Sequence, residues 1–258
     1  MSPRRRILLV AVAAVVVLAL VVVGVRLLAR SSPDTGPRPD QAVPGTVLLV
    51  PGYGGSQTAL TRLAGRLTAA GRTAQVVTLP DGGTGDLLEQ ADTLDTAVRQ
   101  ALTTGVPSVD VIGYSAGGVV TRLWVERHRG AEVARRIVTL GSPLHGAKIA
   151  AVGAALAPDA CPRACRQLAP GSSVLDGIDD KALPAGLPWL SIWTATDETV
   201  QPPDSARLDG AVNVELQSIC PRSQVSHSDL PTDPAVTALV LAALGSPPLS
   251  LPTDCPTG

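Results

Sequence analysis

From residue 46 onward, short apolar runs alternate with longer stretches in which apolar residues recur every three or four positions, the pattern of strands joined by crossover helices. Strands are predicted over 46–50, 74–79, 109–114, 136–140, 189–195 and 212–216, and helices over 57–70, 87–102, 116–129 and 234–244. The clearest helix is 87–102. Leu87, Ala91, Leu94, Val98 and Ala101 share one face, Asp86 stands where a cap for free N–H groups belongs, and Glu89 follows three residues on. Alternation of this kind predicts an α/β fold with a mostly parallel, doubly wound sheet. There is no internal repeat. Residues 142–188, rich in Pro, Gly and Ala, are too many for a simple crossover and read as an insertion after the strand that follows helix 116–129. Insertions of this kind serve as a cap or binding loop.

Ahead of this pattern stands an uncharged run over 7–25, preceded by Arg4, Arg5 and Arg6. As a helix it spans roughly 28 Å, close to the thickness of a bilayer core. A cleaved signal has a shorter apolar region and a small-x-small site, and Ala29 and Gly24 have Leu27 and Val22 two residues before them. An uncleaved transmembrane anchor over 1–30 is therefore favoured over a cleaved signal, with the N-terminus in the cytoplasm and the remainder outside it. Residues 31–45, polar and proline-rich, read as a linker, leaving 46–258 as one domain.

Composition narrows the picture. The chain has 258 residues, 45% hydrophobic, with no Phe and five Trp or Tyr, so its core must be built from Val, Leu, Ile and Ala. The 19 Arg against two Lys read as the coding bias of a GC-rich genome. A net charge of −1, with no basic block beyond the N-terminus, excludes a nucleic-acid partner. Without residues 1–30, which hold five Arg and no acids, 16 basic face 22 acidic residues. Cys161, Cys165, Cys220 and Cys255 form an even set in a chain predicted to leave the cytoplasm, where disulfides persist. The expected pairs are Cys161 with Cys165, within one loop, and Cys220 with Cys255, pinning the tail. Cys-x3-Cys without a nearby His or second pair does not make a zinc site, so no metal or cofactor is expected. A monomer is expected.

The candidate chemistry begins behind strand 109–114, where Gly113-Tyr114-Ser115-Ala116-Gly117 forms a G-x-S-x-G nucleophile elbow. Gly113 and Gly117 leave room for a sharp strand-turn-helix that lifts Ser115 above the sheet. A serine hydroxyl needs a neutral imidazole to take its proton and a carboxylate to orient that imidazole. Of three histidines, His128 lies among charged residues on a solvated helix end, and His145 follows a strand and is a second candidate at the rim. His227, in a polar loop between the last strand and the last helix, is the expected base. The α/β-hydrolase order is serine, acid, histidine. Asp197, just after strand 189–195, is the expected acid; Glu198 is expected to point elsewhere, Asp204 and Asp209 to be solvated turn residues, and Asp179 and Asp180 to belong to the insertion. N–H donors for an oxyanion are expected from Ala116 and, in Pro51-Gly52-Tyr53-Gly54-Gly55, from Tyr53.

With these motifs in place, residues 46–244 resemble the small bacterial secreted lipases and esterases of the α/β-hydrolase fold often called triacylglycerol lipase class 2. The matching segments are Leu-Leu-Val-Pro-Gly-Tyr-Gly-Gly at 48–55, Gly-Tyr-Ser-Ala-Gly-Gly at 113–118, Thr-Leu-Gly-Ser-Pro-Leu-His-Gly at 139–146 and Gln-Leu-Ala-Pro-Gly-Ser at 167–172. Thr-Ala-Thr-Asp-Glu-Thr-Val at 194–200, Asn-Val-Glu-Leu at 213–216 and Val-Ser-His at 225–227 complete the set. The resemblance implies Ser115, Asp197 and His227 as triad, Tyr53 and Ala116 N–H as oxyanion hole, and a small-molecule ester or lipid as substrate. Two features depart from it: Pro51-Gly52 stands where many relatives have His-Gly, and 142–188 is longer than in minimal members. An acyltransferase or thioesterase acting on envelope lipids is the alternative, because another acceptor can intercept the same acyl-enzyme. A non-catalytic envelope protein on this scaffold is disfavoured by the complete triad. An epoxide or haloalkane hydrolase would carry Asp where this chain has Ser115.

Overall fold

Strand β1 (Thr46–Val50) is buried along its whole length because both faces of its sheet are covered. Val47 and Leu49 point to one side, Leu48 and Val50 to the other, and the same alternation divides the core into two apolar clusters. The computed structural model describes Val16, Val17 and residues 38–256. The expected anchor over 1–30 therefore lies, those two valines aside, outside the described residues, as do linker residues 31–37. Among the described residues no helix is long and apolar enough to cross a membrane.

After β1 come α1 (Thr58–Ala69), β2 (Ala74–Val76), α2 (Leu87–Leu102), β3 (Val109–Tyr114), α3 (Ala116–Arg127) and β4 (Ala134–Leu140). The insertion then supplies α4 (Lys148–Leu156), α5 (Arg163–Gln167) and α6 (Ser173–Asp179). β5 (Trp189–Trp193), β6 (Val212–Glu215), the single turn α7 (Leu216–Ile219) and α8 (Pro234–Ala243) follow. The strands form one parallel sheet in the order β2-β1-β3-β4-β5-β6, with Leu49 beside Ile112 and Ile112 beside Val138. On one face Leu48, Val111 and Ile137 pack with Leu87 and Leu94 of α2 and Val119, Leu123 and Trp124 of α3. On the other, Val47, Leu49, Val138 and Ile192 pack with Leu60, Leu63 and Leu67 of α1 and Val236 and Val240 of α8. Asp86 caps α2 as predicted, its side chain accepting from the Leu88 N–H at 3.0 Å. Burial pushes its carboxyl up, but the Gln167 and Leu88 hydrogen bonds and the Arg163 charge outweigh that and hold it below the usual range.

Two strand boundaries differ from the pattern. β2 stops at Val76 rather than 79, because the chain runs into Pro80 and the turn Pro80–Gly83, where Asp81, Gly82 and Gly83 take positive φ. β4 starts at Ala134 rather than 136, because Arg135 and Arg136 read as a polar break yet are 0% and 1% exposed. Their guanidiniums cap the C-terminal carbonyls of α8: Arg135 donates to Leu244 O at 2.7 Å and Arg136 to Ala243 O at 2.7 Å. Arg135 also pairs with the buried Asp110 at 2.7 Å, which Arg72 meets from the other side. Gln41, in the expected linker, accepts from both arginines and donates to Arg135 O at 3.1 Å, so this stretch lies against the body. Both expected disulfides are present, Cys161–Cys165 and Cys220–Cys255.

Because the chain places β2 on one side of β1 and then returns to place β3 on the other, the sheet has a switch point between β1 and β3. In open α/β sheets the crevice beyond the carboxyl ends of such strands is where ligands bind. The loop after β1 carries Tyr53, the turn after β3 carries Ser115, and the loops after β5 and β6 carry Asp197 and His227.

Candidate active site

Ser115 sits between β3 and α3 with φ 53° and ψ −128°, a conformation that costs a non-glycine residue about 1–3 kcal/mol. Its N–H donates to Leu140 O at 2.8 Å, so the β3–β4 ladder holds the strained residue in place. A Cβ at position 117 would stand 2.2 Å from the Val50 carbonyl oxygen, and one at position 113 would stand 2.5 Å from Gly118 Cα. The glycines flanking the serine are thus required by the closeness of β1 and α3.

Ser115 Oγ lies 3.0 Å from His227 Nε2, and His227 Nδ1 lies 2.6 Å from Asp197 Oδ2. His227 and Asp197 are 5% and 2% exposed, so the bond between them is shielded from competing water, while the bond to Ser115 stands at the cavity. Asp197 is oriented by its own loop: Oδ1 accepts from the Thr199 and Val200 N–H groups at 2.9 and 2.7 Å, which leaves Oδ2 to the histidine. Gln201 binds the Asp197 carbonyl from its side chain. The structure therefore brings together the serine, acid and histidine that chain order singled out.

Three supports were not read from the sequence. Gly141, at the end of β4, has φ 54°, and a Cβ there would meet His227 Nδ1 at 3.1 Å and Asp197 Oδ2 at 3.3 Å. Tyr114 packs its ring on His227, centroids 5.2 Å apart, and donates its hydroxyl to the His227 carbonyl at 3.3 Å. Burial, followed by the charges of Asp197, Glu198 and Asp229, pushes its phenol up to about 12. Glu198 does not point away as expected: its Oε2 accepts from the His227 N–H at 3.4 Å. Its place beside Asp197 was the only available signal.

The other histidines stand elsewhere. His145 meets Asp179 Oδ1 at 3.0 Å and Arg207 O at 2.9 Å, and lines a separate cavity with Arg122 and Lys181. His128, at the end of α3, meets Asp92 Oδ1 at 2.7 Å. Tyr53 and Ala116 line the same cavity of about 220 Å³ as Ser115, together with Pro143, Ala147, Ile149, Ala150, Cys165, Leu168, Thr199 and Val200. Ala116 is the first residue of α3, so its N–H has no partner within the helix, and the positive end of the helix dipole falls at Ser115. A Cβ on Gly52 would stand 2.8 Å from Ser115 Cβ, which shows how closely the Tyr53 loop approaches the serine.

Residues 75–156, which include Ser115 but neither Asp197 nor His227, match the family described as PGAP1-like alpha/beta domain. No curated protein matches the chain. Among solved structures, Aspergillus fumigatus lipase B is similar at 22% identity over 78% of this chain, with a TM-score of 0.68. The alignment takes in 52% of that lipase, so this chain spans about half its length. The mature form of Bacillus licheniformis lipase BlEst2 is similar at 20% identity, covering 71% of this chain and 86% of that one, with a TM-score of 0.58. The ydeN gene product of B. subtilis is similar at 14% identity over 77% and 98% of the two chains, with a TM-score of 0.50. With its parallel sheet, its elbow at Ser115 and these structural neighbours, the chain has the α/β-hydrolase fold.

Proposed function

We propose that this protein is a serine hydrolase, a lipase or esterase, that cleaves carboxylic esters of lipids through an acyl-Ser115 intermediate. The observation that carries this reading is the hydrogen-bonded series Ser115–His227–Asp197 opening on a cavity lined largely by apolar side chains. Ser115 Oγ attacks the ester carbonyl carbon as His227 Nε2 takes its proton, and Asp197 accepts from Nδ1–H to fix the tautomer and stabilise the imidazolium. The Tyr53 and Ala116 N–H groups receive the charge that gathers on the carbonyl oxygen. His227 then gives its proton to the departing alcohol, and water repeats the sequence to release the acid. Neither metal nor cofactor takes part. The lipases from A. fumigatus and B. licheniformis, similar in fold, support the same chemistry. The enzyme acts as a monomer outside the cytoplasmic membrane, held there by residues 1–30; two disulfides and the charge pattern ahead of the apolar run support this placement.

A fluorophosphonate probe reacts with an activated serine irrespective of the acyl group preferred. Labelling at Ser115 in the folded protein, abolished in Ser115→Ala and accompanied by hydrolysis of p-nitrophenyl butyrate, is the expected result. A folded wild type that stays unlabelled and hydrolyses no ester overturns the proposal.

A further inference from the structure

Two short helices of the insertion form one wall of the cavity beside Ser115. Ile149 and Ala150 come from α4, and Cys165 comes from α5. α4 has little hold on the body: of its nine residues only Ala150 is buried, while Ile149, Val152 and Leu156 are 62%, 54% and 80% exposed. A helix of this length has scant stability of its own, so its position depends on what it touches. Its N-terminus is tied by the Lys148 N–H to Gln201 O at 2.8 Å, and further along, Gly153 lies on the Cys161–Cys165 disulfide. A Cβ on Gly153 would stand 3.3 Å from Cys165 Sγ and 3.6 Å from Cys161 Sγ, so the glycine lets the helix settle directly on the bridge. The bridge is itself fixed: Cys161 is 1% exposed, and between the two cysteines Ala164 is 0% exposed and donates its N–H to Thr84 O at 3.1 Å.

From this geometry we infer that the Cys161–Cys165 disulfide is a specificity-determining element that sets the width of the substrate cavity. By seating Gly153 it holds Ile149 and Ala150 over the space beside Ser115, and it admits slim, unbranched acyl groups over branched ones. The inference rests on the ester-hydrolase reading. Ala147, Ala150 and Pro143 are too small or too rigid to rotate aside, so along the wall they form, the cavity widens when the helix moves. Loosening the seat therefore changes which acyl groups fit.

The test uses the full chain as wild type, as Cys161→Ser with Cys165→Ser, and as Gly153→Val. The last variant keeps the bridge but wedges α4 away from it. For each, kcat/KM is measured with p-nitrophenyl butyrate and with the branched p-nitrophenyl pivalate, fluorophosphonate labelling reports whether Ser115 is intact, and hydrogen exchange follows the amides of 148–156. The expected result is a pivalate-to-butyrate ratio raised about fivefold or more in both variants, with faster exchange over 148–156 in the variant lacking the bridge. Should that variant not fold, Gly153→Val decides. An unchanged ratio in proteins labelled at Ser115 overturns the inference and leaves the hydrolase reading standing. A wild type that is neither labelled nor active overturns that reading instead, and unchanged exchange over 148–156 then removes the seat as well.

Discussion

Asparagine at position 197 keeps the outline of the side chain and inverts one hydrogen bond. Oδ1 of Asp197 accepts from two backbone N–H groups, at 2.9 and 2.7 Å, and only an oxygen satisfies them. In Asp197→Asn the carboxamide oxygen is therefore held at the Oδ1 place, and the NH2 group faces His227 Nδ1, now 2.6 Å from Oδ2. Nδ1 must accept, the ring proton moves to Nε2, and Nε2 donates to Ser115 Oγ when it ought to receive from it. A serine facing a donor keeps its own proton. Inverting this tautomer in a serine triad lowers kcat on the order of 10⁴-fold, equivalent to about 5.4 kcal/mol at about 1.36 kcal/mol per decade. Asp197 is not among the residues lining the cavity, so KM should stay within about threefold of wild type, a pure transition-state loss. Initial rates with p-nitrophenyl butyrate across a range of concentrations give both constants, and a urea midpoint reports the fold. A folded variant whose kcat lies within about tenfold of wild type refutes the assignment of Asp197.

Gly141→Ala places a methyl group against His227 Nδ1 and Asp197 Oδ2 at a φ of 54°, so kcat should fall at least about tenfold and stability by about 1–3 kcal/mol; unchanged kinetics in the purified variant would show that the contact relaxes freely. Tyr114→Phe tests the raised phenol. The unfolded chain releases this proton near 10 and the folded protein near 12, so the hydroxyl's contribution is complete below pH 10 and is lost as pH climbs from 10 to 12. Over that window wild type should lose about 2 kcal/mol that the phenylalanine variant does not, measured by urea midpoints; parallel losses in the two proteins would sink the idea.

Where the sequence was readable and where it was not follows from what each residue depends on. β1 and β5 were legible because burial on both faces leaves them largely apolar, and α2 because its stripe and Asp86 cap are local features. β4 hid its start behind Arg135 and Arg136, whose burial makes sense only once the carbonyls of Ala243 and Leu244, a hundred residues on, are beside them. The insertion gave no helical period to read. α4 is apolar nearly all round and starts after Ala147, which caps nothing, so neither stripe nor punctuation marks it. The site divides in the same way. Ser115, Asp197 and His227 were singled out because each follows a strand and the fold fixes their order. Gly141 and the Thr199 and Val200 N–H groups escaped because they act through position, and no side chain announces them.

The chemistry-bearing residues gather at one place because a parallel sheet ends all its strands on the same edge, and the switch between β1 and β3 opens a crevice there. The strain at Ser115, about 1–3 kcal/mol, is small beside what opposes its relief. Rotating the residue to an ordinary φ would break its N–H bond to Leu140 O, in an elbow where Gly117 and Gly113 already lie close against Val50 and Gly118. Local strain is held here because it is embedded in the buried β1–β3–β4 core. The wall opposite, by contrast, rests on a nine-residue helix with one buried side chain and a disulfide under Gly153. If Ser115 is the nucleophile proposed above, substitutions that retune the acyl group should therefore fall in α4 and α5 and leave the elbow intact, because Ser115 belongs to the sheet and the cavity wall to the insertion.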